Sequence, residues 1–386
     1  MTSPESRPAG AGPLNGVRVI ELAGLGALPY GSLKLADMGA DIVRVERLAD
    51  VPADTTPRPF SAWDRGRRSI AVDLKHPDGL ATVLRLADTA DVFLESFRPG
   101  VVERLGVGPS VLLERNPKLV YGRLTGWGQT GPLAHAAGHS LNYESITGVI
   151  RAIGPAGGPP VPLLQIVGDF AGGGLSLAYG VVCALFEAQR TGLGQVIDAA
   201  MVDGAMALLG VFYGMARSGM HSDEMGTNLF DGGAPFYAVY ETADGKYVSA
   251  APIEPHFYAL LIEKMGLANE DLPAQYDRSR WPELKARFAE VFRTKTRDEW
   301  CALLEGTDAC FAPVLTFGEA EAYPHNTARD SFVEGNVGVV PRLSRTTGDP
   351  TRPSPAYPGA DTDQVLTQGG WSADEITALR ASGAIK

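Results

Sequence analysis

"GVRVIELAGLGALPYGSLKLADMGADIVRVER", residues 16–47, decides the architecture. Residues 16–24 read as a buried strand. A Gly/Pro turn, the helical run "YGSLKLADMGA" and a second strand, "DIVRVER" (41–47), follow directly. A strand, a helix and a strand at this spacing form a β-α-β unit of a parallel sheet. The pattern continues through "RSIAVDLK" (68–75), a helix over "LATVLRLADTA", "DVFLES" (91–96), a helical stretch and "KLVYGRLTG" (118–126). The expected fold class is therefore α/β.

From about 140 to 220 the chain turns helical, with "GQVIDAAM" as a strand in between. "FYAVYETADGKYVSAAPI" (236–253) reads as a β-hairpin turning at Asp244-Gly245, because it alternates and is rich in aromatic and β-branched residues. Amphipathic helices are expected around 281–293 and 297–305. The expected organisation is a mobile tail over 1–12, a large α/β domain over 13–200 and a linker helix over 201–224. A small α+β domain follows over 225–320, and a C-terminal segment over 321–386 returns to the large domain.

At 386 residues the chain exceeds what one hydrophobic core usually organises, so two domains are expected. A net charge of −11 argues against nucleic acid or an anionic membrane as the main partner. It leaves room for a local basic pocket. Cys183, Cys301 and Cys310 lack metal-site spacing, and no secretory leader opens the chain. The uncharged run Gly172–Phe186 is shorter than a membrane span. A cytoplasmic protein without membrane insertion is expected.

Five features could carry chemistry. "ELAGLGALP" places Gly24 and Gly26 after the first strand, but Pro29 stands where a dinucleotide fingerprint needs its third glycine. The arginines Arg44, Arg47, Arg65, Arg67, Arg68, Arg98 and Arg104 lie near strand ends, either as a phosphate-binding set or as a solvated face. "IVGDFAGGG" (166–174) puts Asp169 near a helix start, as a simple N-cap or beside N–H groups able to hold a developing oxyanion. In "AGHSLNY" (137–143), His139 is either a structural cap or a base. Glu254 in "APIEPHFY" precedes a helix-start proline and by itself says little.

Taken together, the chain resembles the α-methylacyl-CoA racemase branch of the family III CoA-transferase (CaiB/BaiF) superfamily. The likeness runs from "PLNGVRVIELAG" to "TDACFAPVLTFGEA". It is carried by "ADIVRVER", "AVDLKHPDG", "FRPGVVERLGVGP", "TGWGQTGPLAHAAGHSLNY", "VGDFAGGG", "GQVIDAAMVDG", "DGGAPFYAVYETADGKYV" and "IEPHFY". The resemblance implies a Rossmann-like large domain, a smaller α+β domain and an interlocked homodimer whose active sites are shared between subunits. It implies that Arg47, Val72, Asp73, Leu74, Lys75, Ser96, Phe97, Arg98 and Arg104 line the CoA site. Gly138, Ser140, Leu141, Asn142 and Tyr143 would border the acyl thioester. His139 and Asp169 would be the acid/base pair, serving the S and R faces, with a partner subunit's Glu254 bonded to the histidine.

The implied reaction is racemisation of a 2-methylacyl-CoA through an enolate, with CoA part of the substrate and no cofactor or metal. Two groups on opposite faces of a planar enolate suit it, and backbone N–H groups at the Asp169 helix start would stabilise the oxyanion. The alternative within the superfamily is CoA transfer between carboxylic acids, with Asp169 as nucleophile. His139 favours the racemase, since proton transfer needs it and acyl exchange through a carboxylate does not. One departure stands out. Many racemases of this branch read G-H-D-[IL]-N-Y, and this chain carries Ser140 after the histidine.

Overall fold

The structure, a computed structural model, describes residues 12–53 and 63–386. The expected mobile tail, 1–12, lies outside the described residues apart from Gly12. The chain forms two compact units. The first comprises the residues up to Thr147, Leu163–Leu208 and Asp330–Lys386; the second comprises Gly148–Pro162 and Leu209–Arg329.

The first unit is built on six strands: β1 (Arg18–Leu22), β2 (Asp41–Glu46), β3 (Arg67–Ala71), β4 (Val92–Glu95), β5 (Val120–Thr125) and β6 (Val196–Ala200). All pair in parallel, in the order β3-β2-β1-β4-β5-β6. The α/β expectation holds. The order reverses between β1 and β4, which opens a crevice beyond their carboxyl ends, where open α/β sheets bind ligands.

Side chains alternate faces along each strand, and both faces are dry. Ile20, Leu22, Val43, Val45, Ile70 and Phe93 bury one face, while Val19, Ile42, Val92, Leu94 and Val120 bury the other. The first face is covered by the helix Pro77–Ala87 and by the C-terminal segment, through Val365, Leu366, Trp371, Ile376 and Ile385. The second is covered by the helices Ala27–Asp37 and Ser176–Thr191. Each such aliphatic or aromatic side chain contributes about 1.5–3 kcal/mol on full burial. The end of the C-terminal segment also docks just beyond β3. Val72 bridges Ile385, and the Asp73 N–H donates to the Ala384 carbonyl at 2.9 Å.

Residues Ile166–Leu175 form a π-helix that runs directly into Ser176–Thr191. The combined 26-residue stretch is, by length and composition alone, long and apolar enough to cross a membrane. It is longer than the uncharged run seen in sequence because it continues at both ends past charged residues, Asp169 on one side and Glu187 and Arg190 on the other. Consecutive glycines within it, Gly172, Gly173 and Gly174, meet other helices closely: a Cβ on Gly172 would lie 2.7 Å from the Ala205 nitrogen, and one on Gly174 would lie 2.6 Å from the Ala27 carbonyl oxygen. That is close packing of the π segment against neighbouring helices.

The second unit carries an antiparallel sheet of β7 (Ala238–Glu241), β8 (Tyr247–Ala250) and β9 (Phe311–Val314). The hairpin expected at Asp244-Gly245 is present, with Gly245 at φ 71°. Helices Trp281–Phe292 and Arg297–Leu304 pack Phe288, Phe292 and Trp300 into its core.

Candidate active site

Two cavities of the first unit open at the carboxyl ends of the strands. One, of about 560 Å³, lies at the β1/β4 reversal and is lined by residues following β1 (Ala23–Leu25), β4 (Ser96–Pro99), β5 (Gly126, Trp127) and β6 (Met201). Its remaining wall includes Gly138, His139, Asn142 and Tyr143. The other, of about 520 Å³, follows β2 and β3 and is lined by Arg47, Leu48 and Val72–Lys75. Ala23 and Phe97 belong to both walls, so the two cavities abut.

The loop between them is held from below. Glu95, buried at the end of β4, accepts the Phe97 N–H at 2.6 Å and Arg123 Nε at 2.8 Å. Burial holds its carboxyl above the usual range, against these donors. Among the implied CoA residues, Arg47, Val72, Asp73, Leu74, Lys75 and Phe97 share the second cavity, and Ser96 and Arg98 line the first. Arg104 lies among the exposed residues of the helix Val101–Arg104, outside both lining sets.

The larger arginine set does not form one cluster. Arg44 pairs with Asp64, Arg65 with Asp37, Arg67 with Glu21 and Arg68 with Asp41. These four serve the sheet and its helices. Arg47 and Arg98 remain exposed beyond strand ends and Arg104 on the helix Val101–Arg104, with Arg47 held by Asp50.

His139 is the N-cap residue of the helix Ser140–Ser145, so the structure gives it a cap position and a cavity wall together. Its backbone N–H donates to Asn142 Oδ1 at 3.0 Å. Tyr143 turns back to donate its hydroxyl to the Gly138 carbonyl and stands edge-on to Trp127, which shapes the floor. Leu141, at 46% exposure, is outside the lining.

Asp169 lies in the first turn of the π segment, with its N–H donating to Ser140 Oγ at 3.2 Å. Its carboxylate faces Gly26: a Cβ there would come within 3.0 Å of Oδ2, and Gly26 has φ 63°. The first-turn glycine therefore makes room for Asp169 in a backbone conformation that other residues resist. Burial raises the Asp169 pKa above the usual aspartate value, the Ser140 hydrogen bond opposes this, Glu144 adds to it and His139 opposes it. Tyr143 is raised by burial and by the Asp169 charge and lowered by Arg98, which places these groups in one electrostatic neighbourhood.

One expectation is overturned. The N–H groups of Gly168, Asp169 and Phe170 are not open to an oxyanion, because Gly168 N–H donates to Glu144 Oε1 at 2.8 Å, Asp169 N–H to Ser140 and Phe170 N–H to the Gln165 carbonyl. Backbone donors are committed wherever a partner is in reach. The glycines after Asp169 serve helix packing instead.

Glu254 belongs to the second unit, as the exposed N-cap residue of the helix Pro255–Lys264. Cys310 lies near it: burial first, then the Glu254 charge, pushes that thiol's pKa up. Sequence reasoning missed Trp127, Met201 and Glu144. The first two follow strand ends, a position that marks sites in such sheets. Among the described residues no group of three or more His, Cys, Asp or Glu is placed to hold a metal ion.

Residues 14–362 match the family described as CoA-transferase family III. The chain is 46% identical to the alpha-methylacyl-CoA racemase of Mus musculus over 95% of its length and 96% of the relative's. It is 42% identical to that of Homo sapiens, covering 97% of each. In structure it is similar to a CAIB/BAIF family protein from Brucella suis, with a TM-score of 0.80 at 25% identity, over 93% of this chain and 100% of the other.

Proposed function

The chain belongs to CoA-transferase family III, and on that premise we propose that it inverts the α-carbon of 2-methylacyl-CoA thioesters. The observation that carries this reading is the neighbourhood of His139, on the wall of the cavity at the sheet's reversal, with an Asp169 carboxyl whose pKa is raised. One group removes the α-proton, and the electron pair left behind delocalises into the thioester as an enolate. The other delivers a proton to the opposite face. Nothing is oxidised or lost, and the two side chains exchange protonation states. A raised aspartate pKa suits this cycle because it narrows the gap between donor and acceptor. With the Gly168 and Asp169 N–H groups committed, a side-chain donor on the cavity wall takes their place in this proposal. Asn142, whose Oδ1 is held by the His139 N–H, presents an amide to it.

In this reading CoA is part of the substrate, its nucleotide end in the Arg47 and Val72–Lys75 cavity and its thioester beside His139. Proton transfer between side chains needs no metal or redox cofactor. The same reading has the enzyme work in the cytosol, and the three free cysteines support that. The test is direct. Wild-type protein given one enantiomer of a 2-methylacyl-CoA in D₂O incorporates α-deuterium and loses optical purity with no acceptor acid present. CoA transfer to an added carboxylic acid without α-exchange would instead make Asp169 a nucleophile.

The site is completed, in this proposal, by Glu254 from a second copy. An apolar stripe on the helix Ser176–Thr191 supports a dimer: Tyr179, Val182 and Phe186 are 72%, 45% and 63% exposed in the single chain. Mixing inactive His139→Ala and Glu254→Gln proteins under subunit exchange restores activity, because heterodimers then hold one intact site. If the mixture stays as inactive as its parts, the sites are not shared.

A further inference from the structure

We infer that Glu144 is a positioning residue for proton transfer, holding Asp169 in register with His139 through the Ser140 hydroxyl and the Gly168 N–H. The inference rests on the racemase reading above. Glu144 is 1% exposed and stands four residues after Ser140 on the helix Ser140–Ser145, so both side chains share one face. Its Oε1 accepts the Ser140 hydroxyl at 3.0 Å and the Gly168 N–H at 2.8 Å. Ser140 Oγ in turn accepts the Asp169 N–H at 3.2 Å. Two hydrogen bonds thus tie the helix that begins at His139 to the turn that carries Asp169, and a third, within the helix, couples their two acceptors.

A buried carboxylate is an expensive way to fill space, so its donors and its charge need an explanation. The geometry supplies one. Ser140 has a single proton and stands between two carboxyl groups: it is bonded to Glu144 and also lowers the Asp169 pKa by hydrogen bonding, so Glu144 competes with Asp169 for that proton. The Glu144 charge works in the same direction, disfavouring ionised Asp169. The other groups facing this segment are His139, from the helix start, and Tyr143. Tyr30 of the helix Ala27–Asp37 stacks on Phe170, and Asp203 of the helix Met201–Leu208 is exposed.

This arrangement also gives a role to Ser140 where many racemases of the branch carry aspartate. In this chain the carboxylate of the helix Ser140–Ser145 stands one turn further along, at Glu144. An aspartate at 140 would set a second negative charge where Ser140 Oγ now lies, 3.0 Å from Glu144 Oε1.

The experiment compares wild type, Glu144→Gln, Glu144→Leu, Ser140→Asp and the Ser140→Asp/Glu144→Gln double variant in the D₂O racemisation assay. Absence of α-exchange in wild type would overturn the racemase reading itself, and the variants address Glu144 separately. Glu144→Gln keeps the shape and an acceptor oxygen but loses the charge. It is expected to move the acid limb of kcat/KM to lower pH by about 0.5–1, with KM unchanged. Glu144→Leu is expected to lower kcat by about tenfold or more, since it strands the Gly168 N–H and the Ser140 hydroxyl. Ser140→Asp is expected to impair turnover and the added Glu144→Gln to restore much of it. An unmoved acid limb in Glu144→Gln, or no rescue in the double variant, would overturn the inference. Should Glu144→Leu fail to fold, those two measurements decide alone.

Discussion

Asp169→Asn lowers racemisation of a 2-methylacyl-CoA by about 10²–10⁴-fold, the usual worth of one positioned acid or base. Asparagine keeps the size of the side chain and the backbone N–H bond to Ser140, so folding is expected to persist. The informative result is what survives. With His139 intact, the enantiomer whose α-proton faces the imidazole still exchanges in D₂O, but its configuration is retained, because no group delivers a proton from the other side. His139→Ala shows the converse, with exchange confined to the opposite enantiomer. Chiral chromatography combined with mass spectrometry of the recovered thioester reads both. Near-wild-type racemisation in either variant, or equal loss of exchange from both enantiomers, would refute the two-face assignment.

The second large effect concerns the pair beneath the first turn. Arg67 on β3 and Glu21 on β1 meet at 2.9 Å, and both side chains are wholly buried. Ser32 donates to the same Glu21 oxygen, and Arg67 Nη2 donates to the Pro29 carbonyl, so the pair pins the helix Ala27–Asp37 to two strands. Arg67→Met leaves Glu21 as an uncompensated buried charge and is expected to cost about 3–5 kcal/mol. The double variant Glu21→Leu/Arg67→Met is expected to recover most of that loss, since removing both charges removes the desolvation penalty with them. Denaturant midpoints measure both. A single variant as stable as wild type would show that solvent reaches the site. Because the pinned helix begins at Gly26, against Asp169, the single variant should also lose activity before it unfolds.

Much of this molecule was legible before its structure. The strands of the first unit follow from short runs of β-branched and apolar residues set between helices, a pattern fixed by local geometry and two-sided burial. His139 and Asp169 were singled out by residue type and neighbours, and the structure joins them through Ser140. Residues at strand ends, such as Phe97 and Arg98, were also within reach. The arginines were not. Seven of them look alike in sequence, and only the fold shows that Arg44, Arg65, Arg67 and Arg68 are spent on carboxylates brought from other elements.

The glycines after Asp169 show where local reading ends. In sequence "GDFAGGG" suggests open N–H groups at a helix start, and in space the same glycines admit Ala205 and the Ala27 carbonyl. Hydrogen-bond commitments decided the matter: Glu144 and Ser140, more than twenty residues earlier in the chain, take the donors meant for an oxyanion. The sequence by itself determined the α/β alternation, through local periodicity, and the family, through its motifs; the acid/base pair is what that resemblance implies. Which charges are spent, which N–H groups are occupied and what Ser140 touches were decided by tertiary structure, because burial and hydrogen bonding depend on partners that only folding brings together.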